Sequence, residues 1–319
     1  MIAASSAPPV AGRPGALAPP LRRVLDRLGA RGEPLALDDL ARELFALTGR
    51  PAPALARRLV ATALGFAEAG LPEPLDLRAL PRLAAGRIAA APLDAAEWIV
   101  VDLETTGLSA DACTILEIGA VRIAGLRIVG RFQTLIDPGV PIPPRITALT
   151  GIDRTLVDGA PPLARAIRAF HVWAGGGSAL PFVAHNASFD ERFVRRALAA
   201  QALPDWCGPV VCTCKLARRL LPTLGRYDLD SLAARFGIAN AARHRALGDA
   251  EAAARALVEL LVIARSERSL ATVGDLLALQ AEPVARRCRR ARAGTPTRDD
   301  ATSAAASQGV SSPGPEDAA

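Results

Sequence analysis

Residues 98–107, WIVVDLETTG, constrain the fold of this chain more than any other stretch. Residues 98–101 are apolar and mostly β-branched, a composition typical of a buried strand. Asp102 and Glu104 follow with one residue between them, so both side chains share a face of that strand. Two carboxylates beside an apolar strand favour a divalent cation between them, because hard cations bind carboxylate oxygens. The alternative is a strand that ends in a solvated acidic turn.

Two later segments carry further acids, HNASFD at 185–190 and HRALGDAEAA at 244–253. With the connecting segments ILEIGAVRI (115–123) and FQTLIDPGVPIPPRITALTGI (132–152), they form an ordered set of motifs. This set resembles the DEDD superfamily of 3′→5′ exonucleases, in the histidine-bearing branch that includes the proofreading epsilon subunit of bacterial DNA polymerase III. The resemblance extends from about residue 98 to about residue 264, roughly half of the chain.

The resemblance implies a catalytic set whose members are Asp102, Glu104, Asp190, His244 and Asp249. The four acids would hold two Mg²⁺ ions, for which Mn²⁺ is a substitute. Asp102 would bridge the two ions, Glu104 and Asp249 would complete the shell of the first, and Asp190 would hold the second. His244 would be the general base, since an unperturbed imidazole pKa of about 6.5 lies near neutral pH. The alternative for His244 is a surface histidine in an arginine-rich turn.

Further residues are candidates for binding the substrate. Backbone groups of the turn after the first strand are suited to a free 3′ hydroxyl, and a leucine of ALTGI would wedge against the terminal base by analogy with the family. In the pattern HNxxFD, the Asn holds the strand-to-helix turn and the Phe packs beneath the site, whereas the His either contacts substrate or is structural. The candidates are Thr105, Thr106, Gly107, Leu108, Leu149, His185, Asn186 and Phe189.

The order of elements predicts an α/β fold with a mixed sheet flanked by helices, in agreement with the ribonuclease H-like fold that the resemblance implies. ILEIGAVRIAG and LRIVGRFQTLID, with Gly125 between them, predict an antiparallel hairpin. VPIPPRITALTGI is expected to be irregular, because three prolines fall within four residues. A helix is expected from about Pro162, a short strand at 181–186, and a long alanine-rich helix at about 246–264.

We divide the chain into five parts: a disordered leader at 1–20, a small helical region at 21–70, a linker or strap at 71–96, the exonuclease domain at 97–265, and at 266–319 a helical extension followed by a disordered tail. The helical region is either a DNA-contacting unit or a protein-docking module, and it contains no basic recognition helix to decide between them.

Composition gives weaker indications. The net charge of +6 suits a nucleic-acid partner, but six arginines between 286 and 298 account for much of it. Five cysteines without a framework or metal-site spacing indicate free thiols in a reducing compartment. The sequence contains no signal peptide and no apolar run of about 18 residues, so we expect a cytoplasmic protein that does not cross a membrane.

The function that the motifs predict is a metal-dependent 3′→5′ exonuclease that releases nucleoside 5′-monophosphates from single-stranded or frayed DNA, in proofreading or repair. An exoribonuclease that trims RNA 3′ ends is the alternative, because discrimination between RNA and DNA depends on contacts to the 2′ position, which the motifs do not reveal. A third hypothesis assigns the N-terminal helices to docking on DNA or on the catalytic subunit of a DNA polymerase. The long N-terminal extension favours a stand-alone or accessory exonuclease over a replicative subunit.

Overall fold

A computed structural model describes residues 24–25, 27–30, 32–64, 71–77, 80–176, 180–240 and 242–283. The leader expected at 1–20 and the tail beyond residue 283 lie outside the described residues. Free thiols are found at the four described cysteines, of which Cys212 is buried and Cys207 is exposed.

A five-stranded mixed sheet forms the centre of the molecule, in the order β3-β2-β1-β4-β5. Its strands are β1 (Glu97–Thr105), β2 (Ile115–Ala124), β3 (Arg127–Leu135), β4 (Phe182–Ala184) and β5 (Val210–Cys212). The first three strands pair antiparallel, and β1, β4 and β5 pair parallel. The prediction of a mixed α/β sheet with a hairpin is therefore confirmed.

The β2–β3 hairpin has a two-residue turn made of Gly125 and Leu126. Both residues have positive φ, 56° and 59°. Two positive φ angles are those of a type I′ turn, whose twist matches that of the flanking strands. The glycine that we placed at this turn is thus its first central residue.

Helices cover both faces of the sheet and form the N-terminal region. They are α1 (Leu37–Phe45), α2 (Pro53–Leu64), α3 (Leu80–Ala89), α4 (Pro144–Thr150), α5 (Arg154–Val157), α6 (Leu163–Ala174), α7 (Ser188–Ala200), α8 (Thr213–Leu220), α9 (Leu229–Phe236), α10 (Ala246–Arg268) and α11 (Val273–Ala281). Within the described part of the chain, no helix has both the length and the apolar character needed to cross a bilayer.

The two faces of β1 belong to different apolar cores. Trp98 and Val100 pack with α8, α9, α10 and α11, whereas Ile99 and Val101 pack with α6 and α7. Because side chains alternate along a strand, Asp102 is directed to the same face as Trp98 and Val100, the face that α10 covers. The alternation thus brings the acids of β1 next to the helix that carries the last acidic motif.

The segment predicted as irregular contains a short helix instead. The prediction for VPIPPRITALTGI was wrong over residues 144–150, where α4 forms with Pro143 as its N-cap and Pro144 as its first residue. Proline is accepted at the first helical position because the N–H that it lacks has no partner within the helix there. Gly151 ends the helix with φ 70°.

The described residues of the segment 71–96 contribute side chains to two separate apolar cores. Leu71 and Leu75 belong to the separate core of the N-terminal helices, and Ile88 and Leu93 belong to the core under α10 and α11. The N–H of Leu93 also donates to the Ala271 carbonyl over 2.9 Å. This segment thus contains the helix α3 and contributes residues to both cores.

The edge strand β5 is sealed by a side chain of α11. Gln280 accepts a hydrogen bond from the N–H of Cys212 at 2.6 Å and donates one to the Val210 carbonyl at 3.0 Å. The amide of Gln280 therefore satisfies both backbone groups, as a neighbouring strand would, and covers an edge open to pairing with another chain. This contact ties the helix after residue 265 to the sheet.

Candidate active site

Three structural elements bring the predicted acids toward one end of β1. Asp102 and Glu104 lie near the carboxyl end of that strand, Asp190 is in the first turn of α7, and Asp249 is in the first turn of α10. Carboxylates are favoured in the first turn of a helix, because the helix dipole places partial positive charge there. The Asp190 carboxylate also accepts a hydrogen bond from the backbone N–H of Leu103, the residue between the two acids of β1.

Among the described residues, Glu104, His244 and Asp249 form a close group of possible metal ligands. Each offers one ligand atom, and the three atoms lie within 4.8 Å of one another. Two carboxylate oxygens and an imidazole nitrogen are a donor set that fits divalent cations. Asp102 and Asp190 are outside this group of three, but both acids lie close enough to repel negative charge in the same cluster.

Electrostatics at this end of the sheet favours a positive ion. Burial, followed by the charges of Asp190, Asp249, Glu104 and Glu117, raises the pKa of Asp102 well above its usual range. Burial and then Asp249 and Glu117 raise the pKa of Glu104 to about 7. Since the acids hinder one another's ionisation, a cation that entered among them would relieve both repulsion and desolvation.

Asp249 is held by two groups on the segment that precedes its helix. Its carboxylate accepts hydrogen bonds from the Asn240 side chain and, over 3.1 Å, from the backbone N–H of His244. Burial raises the pKa of Asp249, and these two hydrogen bonds act in the opposite direction. His244 has a φ of 58°, so a tight left-handed turn directly before α10 sets the position of the imidazole.

Asn240 and Gly119 of β2 were not predicted as parts of this site, and for Glu117 of β2 the sequence favours a paired acid over a contact with the terminal nucleotide. Gly119 lies opposite Asp102 in the strand register, and a Cβ atom there would be 2.1 Å from the Ala246 carbonyl carbon. The beginning of α10 therefore rests directly on the backbone of β2. Glu117 is fully buried beside it and bonds to Arg245. An acid within an apolar strand is a visible signal in the sequence, whereas nothing in the local pattern marks Asn240 or Gly119.

The turn after β1, predicted to bind the terminal nucleotide, has its threonine hydroxyls engaged internally. The Thr105 hydroxyl donates to the Gly107 carbonyl at 2.7 Å, and the Thr106 hydroxyl accepts from the Thr114 N–H at 3.0 Å. These bonds hold the turn in shape and leave the Leu108 side chain 81% exposed. Leu149, on α4, is also exposed, at 54%.

The HNASFD segment turns from β4 into α7. His185 Nδ1 lies 2.9 Å from the Thr213 hydroxyl. The pKa of His185 is lowered, mainly because the imidazole is buried. Asn186 is exposed with φ 68°, a left-handed conformation that Asn tolerates well, and its carbonyl accepts from the Phe189 N–H. Phe189 packs on Phe193 with ring centroids 5.0 Å apart. All three residues therefore have structural contacts at the turn that delivers Asp190.

Comparison with known proteins identifies the region that carries this site. A family model described as exonuclease, RNase_T, matches residues 99–257. The PolC-type DNA polymerase III of Halalkalibacterium halodurans is 38% identical over 161 residues, which are 50% of this chain and 11% of that protein. The PolC-type enzyme of Oceanobacillus iheyensis is 40% identical over 164 residues, 51% of this chain and 11% of that protein. The chain thus spans about a tenth of the length of these relatives.

Two solved structures are also similar. Exonuclease X in complex with 5′-overhanging duplex DNA is 29% identical, with a TM-score of 0.46, and covers 57% of this chain and 99% of that one. Exonuclease I of E. coli in complex with a dT13 oligonucleotide is 17% identical, with a TM-score of 0.46, and covers 55% and 42%. The family match includes every predicted acid, and residues 99–257 of this chain are identified as an RNase_T exonuclease domain.

Proposed function

We propose that this protein is a 3′→5′ exonuclease that removes nucleotides from a DNA end and requires Mg²⁺. The observation that carries the proposal is the placement of Glu104, His244 and Asp249, whose ligand atoms lie within 4.8 Å of one another. Asp102 and Asp190 add two more carboxylates to the same negative cluster. A structural acidic cluster would be expected to carry arginine partners, whereas Glu104 and Asp249 have no ion pair among those found in the described residues.

We assign to the side chains the roles that the resemblance of the motifs implies. Asp102, Glu104, Asp190 and Asp249 would hold the divalent ions, which supply the positive charge needed to activate water and to stabilise the leaving 3′ oxygen. His244 would take the proton from the attacking water, and its backbone N–H orients Asp249. The turn at 105–108 and the exposed side chains of Leu108 and Leu149 would receive the terminal nucleotide.

DNA is the proposed substrate because the curated relatives at 38% and 40% identity are DNA polymerases. The test is digestion of matched DNA and RNA oligonucleotides labelled at the 5′ end, with Mg²⁺, with Mn²⁺ and with a chelator. We expect a ladder that shortens from the 3′ end of DNA, requires the ion, and releases nucleoside 5′-monophosphates. Internal cleavage, cleavage in the presence of chelator, or faster digestion of RNA would contradict the proposal.

The same relatives suggest where the enzyme acts. In a PolC-type polymerase the matching region is part of a much larger protein, and we propose that here the separately packed N-terminal helices, with a core of their own around Leu40 and Leu75, dock on DNA or on a polymerase. The proposed location is the cytoplasm. Purification of the tagged chain from its own host, with identification of bound proteins, tests the docking role: absence of both a polymerase and DNA affinity would refute it.

A further inference from the structure

Glu117 is a buried acid for which the proposed reaction has no use. Its side chain is fully buried, and it lies directly opposite Glu104 in the β1–β2 register. Oε1 accepts from Gln133 Nε2 at 2.7 Å and from Arg245 Nη2 at 2.8 Å. Oε2 accepts from Arg245 Nε at 3.1 Å and from the Ala246 N–H at 3.0 Å. A carboxylate has about four lone-pair positions, and protein donors use all four, which leaves none for a metal ion.

The donors that Glu117 binds belong to the element that completes the active site. Ala246 is the first residue of α10, so its N–H has no acceptor within the helix. His244 and Asp249 lie two residues before and three residues after that N–H. Because Gly119 on the same strand allows the backbone of Ala246 to approach, β2 holds the start of α10 both by shape and by charge.

Glu117 also determines which acid Arg245 pairs with. The Arg245 guanidinium interacts electrostatically with Glu104 and forms a bidentate ion pair with Glu117. If Glu117 lost its charge, Glu104 would be the acid left to pair with this arginine. An arginine that neutralised Glu104 would compete with a cation for the same oxygens.

We propose that Glu117 is a positioning residue for the metal site, an inference that rests on the proposed function. It holds the Arg245 guanidinium away from Glu104 and anchors the first turn of the helix that carries Asp249. Groups that orient metal ligands from outside the coordination shell typically change metal affinity by about 10- to 100-fold when they are removed. We expect a loss in this range for Glu117→Gln.

The test is calorimetric titration of the full chain with Mn²⁺, without substrate. Glu251→Gln is the matched control, because Glu251 joins α10 to Arg131 of β3 through an ion pair outside the site, at 2.5 Å. We expect Glu117→Gln to weaken Mn²⁺ binding by about 10- to 100-fold and Glu251→Gln to leave it unchanged. The double variant Glu117→Gln with Arg245→Gln should return to within about threefold of wild type, because the competing charge is gone and the amide oxygen at position 117 still accepts from the Ala246 N–H.

Two results would overturn the positioning role alone: wild-type affinity in Glu117→Gln, or a double variant as weak as the single one. A wild-type chain that bound no Mn²⁺ would refute the proposed function and this inference with it. Thermal unfolding of the metal-free variants separates binding from folding. If Glu117→Gln weakened Mn²⁺ binding only because it unfolded the protein, the loss of affinity would follow the loss in Tm. In that case the double variant would not recover its affinity for Mn²⁺.

Discussion

Neutralising Glu104 should make the metal-free protein more stable while removing its activity. Burial, Asp249 and Glu117 raise the pKa of Glu104 from 4.5 to about 7. The folded state therefore holds a proton more tightly than the unfolded chain does, so the contribution of Glu104 to stability falls as pH rises from about 4.5 to about 7. A difference of roughly 2.5 between the two pKa values corresponds to at most about 3 kcal/mol at pH 8.

Glu104→Gln removes the loss of stability that ionisation of Glu104 causes, and it keeps the size of the side chain. We expect the metal-free variant to exceed wild type in free energy of unfolding at pH 8 by up to about 3 kcal/mol. The difference should shrink as pH falls and disappear below about pH 4.5, where Glu104 is neutral in both states. Saturating Mg²⁺ should reverse the order, because binding stabilises only a site that retains its ligands.

Urea unfolding at a series of pH values, with chelator and with Mg²⁺, measures the effect. The matched control is Glu97→Gln at the other end of β1, where the carboxylate pairs with Arg122 at 3.4 Å. That variant should show no gain in stability at pH 8. The reasoning is refuted if metal-free Glu104→Gln is less stable than wild type at pH 8, or if the difference between them does not depend on pH.

Three further substitutions test other parts of the site and its support. His244→Gln should lower kcat by about 10²–10⁴-fold if the imidazole is the general base, and unchanged metal-dependent turnover would reject that role. Gly119→Ala should cost about 1–3 kcal/mol in urea unfolding, because its Cβ would lie 2.1 Å from the Ala246 carbonyl carbon; wild-type stability would show that α10 yields easily. Gln280→Leu should lower stability by about 1–3 kcal/mol for each backbone group left unpaired on β5, and an unchanged Tm would contradict this.

Local spacing was enough to predict the elements that carry the candidate metal ligands. A β-branched run followed by acids at positions i and i+2 determines both the strand and the face that the acids share, because the two-residue period belongs to the strand itself. The helix around Asp249 and the turn at Gly125 were also predictable, since Ala-rich periodicity and glycine act through neighbouring residues. The same local reasoning failed at Pro143 and Pro144, where proline begins a helix instead of preventing one.

The partners of these elements were decided by the tertiary structure. Glu117 and Arg245 are 128 positions apart, and their pairing depends on the path that returns α10 over β2. The close approach of Gly119 to Ala246 and the sealing of β5 by Gln280 are likewise contacts between distant segments. Such contacts leave no recognisable pattern of spacing in the sequence, because they form only when the cores on the two faces of the sheet pack. The sequence by itself determined which side chains could bind a metal, and the tertiary structure decided which groups hold them in place.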